Sequence, residues 1–268
     1  MSRASPGVST SDSTPLSVPL LCQPPAPRAA RARPPRPGVL VAACAIAVGA
    51  VDLPAETGAQ TAPAVDPAIN AYYEDADVGR WKYTFENPGR EIFRERFRIA
   101  QAVGPVPGMR IADIGAGTGF FSLLFARAVG PAGRVYAVDI SPAFLEEIRR
   151  RAAEEYHVEN LETVLNDQHG IGLPEDSLDL AFLSDTYHHL EHPQRMLASI
   201  ASALRDGGEL VIIDFRRIPG VSSPWVMSHV RLGRDEVIEE LKAAGFALVG
   251  EEAFLRENYF LRFRRAPD

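Results

Sequence analysis

Cysteine is nearly absent from this chain of 268 residues: the two present, Cys22 and Cys44, both lie ahead of residue 69. Residues 69–268 therefore hold no disulfide, no thiolate metal site and no cysteine nucleophile. Excess positive charge is missing as well. The same stretch carries 23 basic against 31 acidic side chains, which argues against a broad nucleic-acid surface, because phosphate contacts need clustered Lys and Arg. Arg256, Arg262, Arg264 and Arg265 read as an exposed face of a terminal strand rather than a groove. The apolar run Val39 to Val51 has thirteen residues, broken only by Gly49, short of the about 20 that span a bilayer. No stable transmembrane span is expected, and no internal repeat is visible.

What is present is unevenly spread. Twelve of the 22 prolines fall in the first 68 residues, and residues 1–65 read as a disordered extension rich in Ser, Pro, Ala and Arg. Arg28, Arg31, Arg33 and Arg36 precede the apolar run, and small residues follow near Ala50 and Ala59. This basic flank, apolar core and cleavage-like end read as a signal segment over 39–51, implying export or periplasmic targeting. An uncleaved tail or a misassigned start, with a cytoplasmic protein, is the alternative. Val41-Ala42-Ala43-Cys44 resembles a lipoprotein box, although apolar residues continue past the cysteine. The 46% apolar content suffices for an ordinary core.

The most informative stretch runs Ile111-Ala112-Asp113-Ile114-Gly115-Ala116-Gly117-Thr118-Gly119-Phe120. A short apolar strand over 110–114 leads into glycines, and Phe120 to Val129 then shows helical spacing. Glycine fits such a turn because the backbone adopts positive φ and lets a ligand approach. The dinucleotide fingerprint G-x-G-x-x-G places its third glycine where Phe120 stands. A bulky ring there disfavours a pyrophosphate and points to a nucleoside with a smaller, zwitterionic tail. A second strand, from Arg134, ends in Asp139, where a carboxylate can accept both ribose hydroxyls. Ser141 and Pro142 then read as N-cap and first helical residue.

At these residues the chain resembles the class I S-adenosylmethionine-dependent methyltransferases, over about residues 69 to 268. The resemblance implies S-adenosylmethionine as cofactor, with Gly115, Gly117 and Gly119 cradling its methionine portion, Asp113 holding the amino group and Asp139 the ribose. Ile140, beside Asp139, and Asp185, after the fourth strand, join this cofactor-binding set. A polar residue after the third strand would read the adenine. Asn166-Asp167-Gln168 occupies that loop, with Asp167 the candidate. Leu173-Pro174 comes two residues later than the commonest pattern, which leaves His169 at the usual acid position. Because S-adenosylmethionine is made in the cytoplasm, an exported enzyme would need an outside supply.

Further elements are expected as a helix over 142–156, strands over 161–165 and 178–183, a helix from Pro193, a strand over 209–215, a helix over 234–244, and strands over 247–252 and 258–263. Such alternation gives an α/β fold: a Rossmann-like, open, mostly parallel sheet of seven strands with helices on both faces. Its C-terminal strand is antiparallel, as the resemblance also implies. Residues 109–268 form the methyltransferase domain, and 66–108 an aromatic, helical cap with a helix over 91–102.

Ligands of such sheets bind beyond the carboxyl ends of the strands, so Asp185, Thr186, Tyr187, His188 and His189, then Asp214, Arg216 and Arg217, are the candidate acceptor-facing residues. An acceptor hydroxyl or amine needs a base in the useful titration range. His188 leads as that base, followed by His189 and Tyr187; a pair of rings that only shapes the pocket is the plainer reading. Tyr72, Tyr73, Trp81, Arg90 and His229 are assigned to the acceptor pocket, with Trp81 and Phe85 also readable as core contacts. His188, Glu191 and His192 have metal-like spacing, but Pro193 marks a helix start, so that spacing straddles a turn and no metal is expected. The function expected is methyl transfer to an unidentified small-molecule acceptor. A non-catalytic S-adenosylmethionine-binding protein and, less favoured, an NAD(P)-dependent oxidoreductase are the alternatives.

Overall fold

The structure is a computed structural model and describes residues 62–266. The signal-like segment 39–51, Cys22, Cys44 and all but the last four residues of the 1–65 extension lie outside the described residues.

Four short helices precede the sheet: α1 (Ala71–Glu74), α2 (Val78–Phe85), α3 (Glu91–Arg94) and α4 (Arg96–Val103). Asp77 caps α2 by accepting the Arg80 N–H, and Gly104, at φ 74°, ends α4. The single helix expected over 91–102 is divided at Glu95. At the division Arg96 donates to the Phe93 carbonyl at 2.6 Å. The buried Glu91 carboxylate accepts the backbone N–H groups of Arg256, Glu257 and Asn258. This ties the N-terminal helices to the turn that enters the last strand of the chain.

The remainder alternates: β1 (Arg110–Ile114), α5 (Phe120–Val129), β2 (Arg134–Asp139), α6 (Pro142–Arg151), β3 (Leu161–Leu165), β4 (Leu178–Ser184), α7 (Pro193–Ala203), β5 (Leu204–Phe215), α8 (Pro224–His229), α9 (Arg234–Ala243), β6 (Phe246–Glu252) and β7 (Asn258–Arg265). The seven strands form one sheet in the order β3-β2-β1-β4-β5-β7-β6. Only β7 runs against the others, pairing antiparallel with both β5 and β6, as expected.

Both faces of the central strands are covered, as a parallel sheet requires. Successive residues therefore enter opposite cores. Ile111, Leu180, Phe182, Val211 and Ile213 pack with Phe121, Phe125 and Ile99 on one side. Ala112, Ala181, Leu183, Leu210 and Ile212 pack with Leu197, Ile200 and Leu241 on the other.

Two boundaries differ from expectation by more than two residues. The helix over 142–156 is α-helical only to Arg151 and finishes as a π turn, Ala152–Tyr156. Beside that change Arg151 turns inward, donating to Glu86 at 2.6 Å and to the Thr118 carbonyl at 2.7 Å. Pairing of β4 with β5 begins at Leu204 rather than Glu209, and a register shift accommodates the turn 205–208, where Gly207 has φ 74°.

Strand order reverses between β1, which continues to β2, and its other neighbour β4. At such a switch point the connections leave on opposite faces and open a crevice at the carboxyl ends of the strands. Among the described residues, no helix is long and apolar enough to cross a membrane.

Candidate active site

The crevice is lined by the glycine turn, the ends of β2, β4 and β5, and α2 and α8. Gly115 and Gly117 line it at φ 71° and 54°. A Cβ on Gly115 would lie 2.4 Å from Thr186, and one on Gly117 3.2 Å from Phe85. Gly119 has a different task. It is left-handed at φ 78° and does not line the crevice; a Cβ there would lie 2.5 Å from Ile148. The third glycine thus lets α5 and α6 approach instead of cradling a ligand, a role that spacing alone does not separate from the other two.

Asp139 ends β2 with one oxygen on the Gly117 N–H and the other on the Ser141 N–H, each at 2.8 Å. One carboxylate therefore fixes the glycine turn and the start of α6 while lining the crevice beside Ile140. Burial pushes it up to about 6, against the backbone bonds that favour its ionised form. Asp113, at the crevice floor, accepts the Ser122 hydroxyl at 2.5 Å. Its burial, opposed by the Ser122 bonds and reinforced by the Asp139 charge, raises it to about 7. Asp167 lines the mouth, with its side chain largely exposed and accepting the His169 N–H at 2.7 Å.

Asp185 follows β4 with φ 49°. Its buried carboxylate meets Arg90 at 2.6 Å and the Asn258 amide at 2.6 Å. Burial raises its pKa, Arg90 opposes that, and Asp214 adds to it. Arg90 therefore lines the crevice as the partner of Asp185. Beside it, Tyr73, Trp81 and Phe85 form an aromatic wall with centroids 4.7–6.5 Å apart. Trp81 and Phe85 both pack together and line the crevice, so the two readings of that pair coincide. Tyr72 is half-buried on α1 and not a lining residue.

The two histidines after β4 sit in a 3-10 turn over Tyr187–His189. His188 Nδ1 lies 2.7 Å from Asp214 Oδ1, and its backbone N–H donates to the other oxygen at 3.0 Å. His189 meets Tyr73 edge-on at 5.2 Å. Desolvation, with the charges of His188 and His229, holds its pKa well below the ordinary value. Tyr187 turns the other way. Its ring is core, and its hydroxyl donates to Glu240 at 2.7 Å, because a 3-10 turn points successive side chains about 120° apart. Tyr187 is therefore not positioned at the crevice. Arg216 and Arg217 also leave it, donating to the carbonyls of Asn258 and Met227.

His229 reaches the crevice from α8, stacked on Trp225 at 4.5 Å. Sequence reading missed Trp225 and the helix that carries it. Ser223-Pro224 is an N-cap and first-turn pair of the kind that announces a helix, and Ser223 does accept the Val226 N–H. Glu191 and His192 do not join His188: Glu191 accepts the Asn70 amide at 2.9 Å, and His192 stacks on His169.

The described residues thus bring a glycine turn, the buried acid that ends β2 and a buried His–Asp pair to one crevice. Residues 111–208 match the family described as "Methyltransferase domain". Over these residues, from β1 into β5, the chain is similar to that domain. S-adenosylmethionine, named for solved methyltransferases of this fold, fits the residues present: Gly115 and Gly117 leave a cradle that side chains would fill, and Asp139 lines the crevice beside it. The chain is 31% identical over 126 residues to the ubiquinone/menaquinone biosynthesis C-methyltransferase UbiE of Ectopseudomonas mendocina, covering 47% of this chain and 48% of that one. With UbiE of Ruegeria sp. the identity is 30% over 117 residues, covering 44% and 46%. The chain therefore spans about half the length of these curated relatives. A solved S-adenosylmethionine-dependent methyltransferase from Aquifex aeolicus shares the fold at a TM-score of 0.59 and 22% identity, covering 74% of this chain and 98% of the other. One from Mesorhizobium loti does so at 0.53 and 20%, covering 66% and 99%.

Proposed function

We propose that the protein transfers the methyl group of S-adenosylmethionine to a small-molecule acceptor seated between the aromatic wall and the histidines. The observation that carries this reading is the charge of the crevice. Asp113, Asp139, Asp167 and Asp185 line it, with Arg90 as the one cationic lining side chain, itself paired with Asp185. Buried carboxylates are costly without a positive partner. A nucleoside bearing an ammonium and a sulfonium relieves that cost, whereas a pyrophosphate would add to it.

When bound, the cofactor supplies an electrophilic methyl carbon. The chain's own part is to orient and to exclude water. Asp139 receives the ribose, Gly115 and Gly117 leave room for the tail, and Asp113 receives the amino group. Tyr73, Trp81, Phe215 and Trp225 supply apolar surface for a compact acceptor, and the curated relatives' names as C-methyltransferases of quinone biosynthesis support a planar one.

Calorimetric titration with S-adenosylhomocysteine and, separately, with NAD tests the assignment. S-adenosylhomocysteine is expected to bind, and tight NAD binding alone would overturn the proposal. Release of S-adenosylhomocysteine across a panel of phenols, quinols, amines and carboxylic acids then tests turnover. Binding without transfer to any of them would favour a non-catalytic binding protein.

The Arg-flanked segment 39–51 supports a second proposal, that the protein is exported. Fusing residues 1–60 to alkaline phosphatase, which is active only outside the cytoplasm, is expected to give activity; an inactive fusion made at full yield would return the protein to the cytoplasm.

A further inference from the structure

His188, His189 and His229 converge on the acceptor end of the crevice, each offering one ring nitrogen, with the three nitrogens within 4.8 Å of one another. The His188 ring is committed at Nδ1 to Asp214, which leaves Nε2 with its lone pair. His189 Nδ1 and His229 Nε2 are both buried and have no hydrogen-bond partner. Buried polar atoms are nearly always satisfied, and leaving one bare costs about 1–3 kcal/mol. Two bare imidazole nitrogens in one cluster of three histidines therefore call for a shared partner.

We propose that these three histidines hold a divalent transition-metal ion of the zinc class, with a coordination position open to the crevice. Three imidazoles suit zinc, cobalt, nickel or iron rather than magnesium or calcium, which prefer oxygen. Three protein ligands leave the fourth position of a tetrahedral site free, as in catalytic zinc centres. Metal–nitrogen bonds of about 2.0–2.1 Å place the nitrogens about 3.4 Å apart, so the cluster contracts by small rotations of the rings.

Behind the cluster stands the support such a site needs. Asp214 accepts His188 Nδ1–H and also the backbone N–H groups of His188 and Phe215, forming a carboxylate–histidine pair that fixes the tautomer and raises ligand basicity. Trp225 stacks on His229, and Tyr73 meets His189 edge-on. Asp214 and Asp185 supply negative charge, and Arg90 is paired with Asp185. The open position would take an anionic oxygen of the methyl acceptor. That use rests on the methyltransferase reading, whereas binding of the ion does not.

The test uses untagged, full-length protein stripped with EDTA, and a parallel sample with Cys22 and Cys44 replaced by serine. Zinc is titrated against a chromogenic indicator, and cobalt is followed by its visible spectrum. One zinc per chain and the absorption of four-coordinate cobalt are expected, unaltered by the cysteine replacements. His189→Ala and His229→Ala should each weaken zinc binding about tenfold or more, and Asp214→Asn about 10–100-fold. Thermal unfolding of the stripped variants verifies folding. Should His189→Ala not fold, His229→Ala and His229→Gln, on the more exposed helix, decide the matter. Absence of stoichiometric zinc, or unchanged affinity in the folded variants, would overturn the inference. S-adenosylhomocysteine binding is measured on the same samples: its retention without zinc binding sinks only the metal, and its absence alongside zinc binding sinks only the methyltransferase reading.

Discussion

The carboxylate of Asp139 accepts the Gly117 backbone N–H at 2.8 Å. Through this bond the acid at the end of β2 and the glycine turn after β1 are tied together. Asp139→Ala should therefore weaken S-adenosylhomocysteine binding by about 1–3 kcal/mol. Affinity should also fall as the pH drops through about 6, where the carboxylate takes up a proton and loses half of its acceptor capacity. Calorimetry at pH 7.5 and 5.5 reads both effects; an Asp139→Ala variant with wild-type affinity removes the residue from the site.

Asp113 opposes the ligand-free fold at neutral pH. Its folded pKa of about 7 lies above the ordinary 3.8, so between those values the folded state binds more protons than the unfolded state, and stability falls as pH rises. Asp113→Asn, which is neutral at every pH, should gain stability over the wild type progressively from pH 5 to pH 8. His189 and His229 titrate with the opposite sign and cancel in this difference. Urea denaturation at the two pH values measures it, and a gain independent of pH would contradict the assignment. The same variant should bind S-adenosylhomocysteine more weakly.

Gly119→Ala introduces both a left-handed alanine and a clash with Ile148, 2.5 Å from the new Cβ. Left-handed strain alone is worth about 1–3 kcal/mol. Gly104→Ala, at φ 74° and with its Cβ 4.0 Å from its nearest neighbour, supplies that term by itself. Gly119→Ala should be the more destabilised of the two in equilibrium denaturation. Equal losses would mean that α5 and α6 do not need the missing Cβ.

Tyr187→Phe deletes the hydroxyl that donates to Glu240. A bond to a charged acceptor contributes about 1–3 kcal/mol, and Arg231 stays paired with Glu240 at 2.7 Å, so the loss should lie toward the lower end. S-adenosylhomocysteine affinity should not change, because the hydroxyl faces α9 and not the crevice. A selective loss of turnover without loss of stability would return Tyr187 to the chemistry.

Local signals were strong around the glycine turn. β1, its glycine turn and α5, then β2, Asp139 and the Ser141 cap, are each decided within a few residues by apolar spacing, positive φ and capping. Pro142 and Pro193 both stand at first helical positions, as expected. The boundaries that moved depend on longer-range partners: Arg151 turned toward Glu86 and Thr118 beside the end of α6, and Glu91 docked on residues 256–258 beside the divided helix.

By itself the sequence determined the alternation of strands and helices, the glycine turn and the acid one strand later, and with them one end of the crevice. Those features are local, written in backbone conformation and in period-2 and period-3.6 patterns. How the side chains at the other end of the crevice meet was decided by tertiary structure. Asp214 from β5 closes on His188 after β4, and His229 and Trp225 arrive on α8 from beyond the fifth strand. Tyr187 is turned away by the same short 3-10 turn that turns its neighbours in. No local pattern encodes these meetings, because they follow from strand order and from two helical elements packing over one end of the sheet.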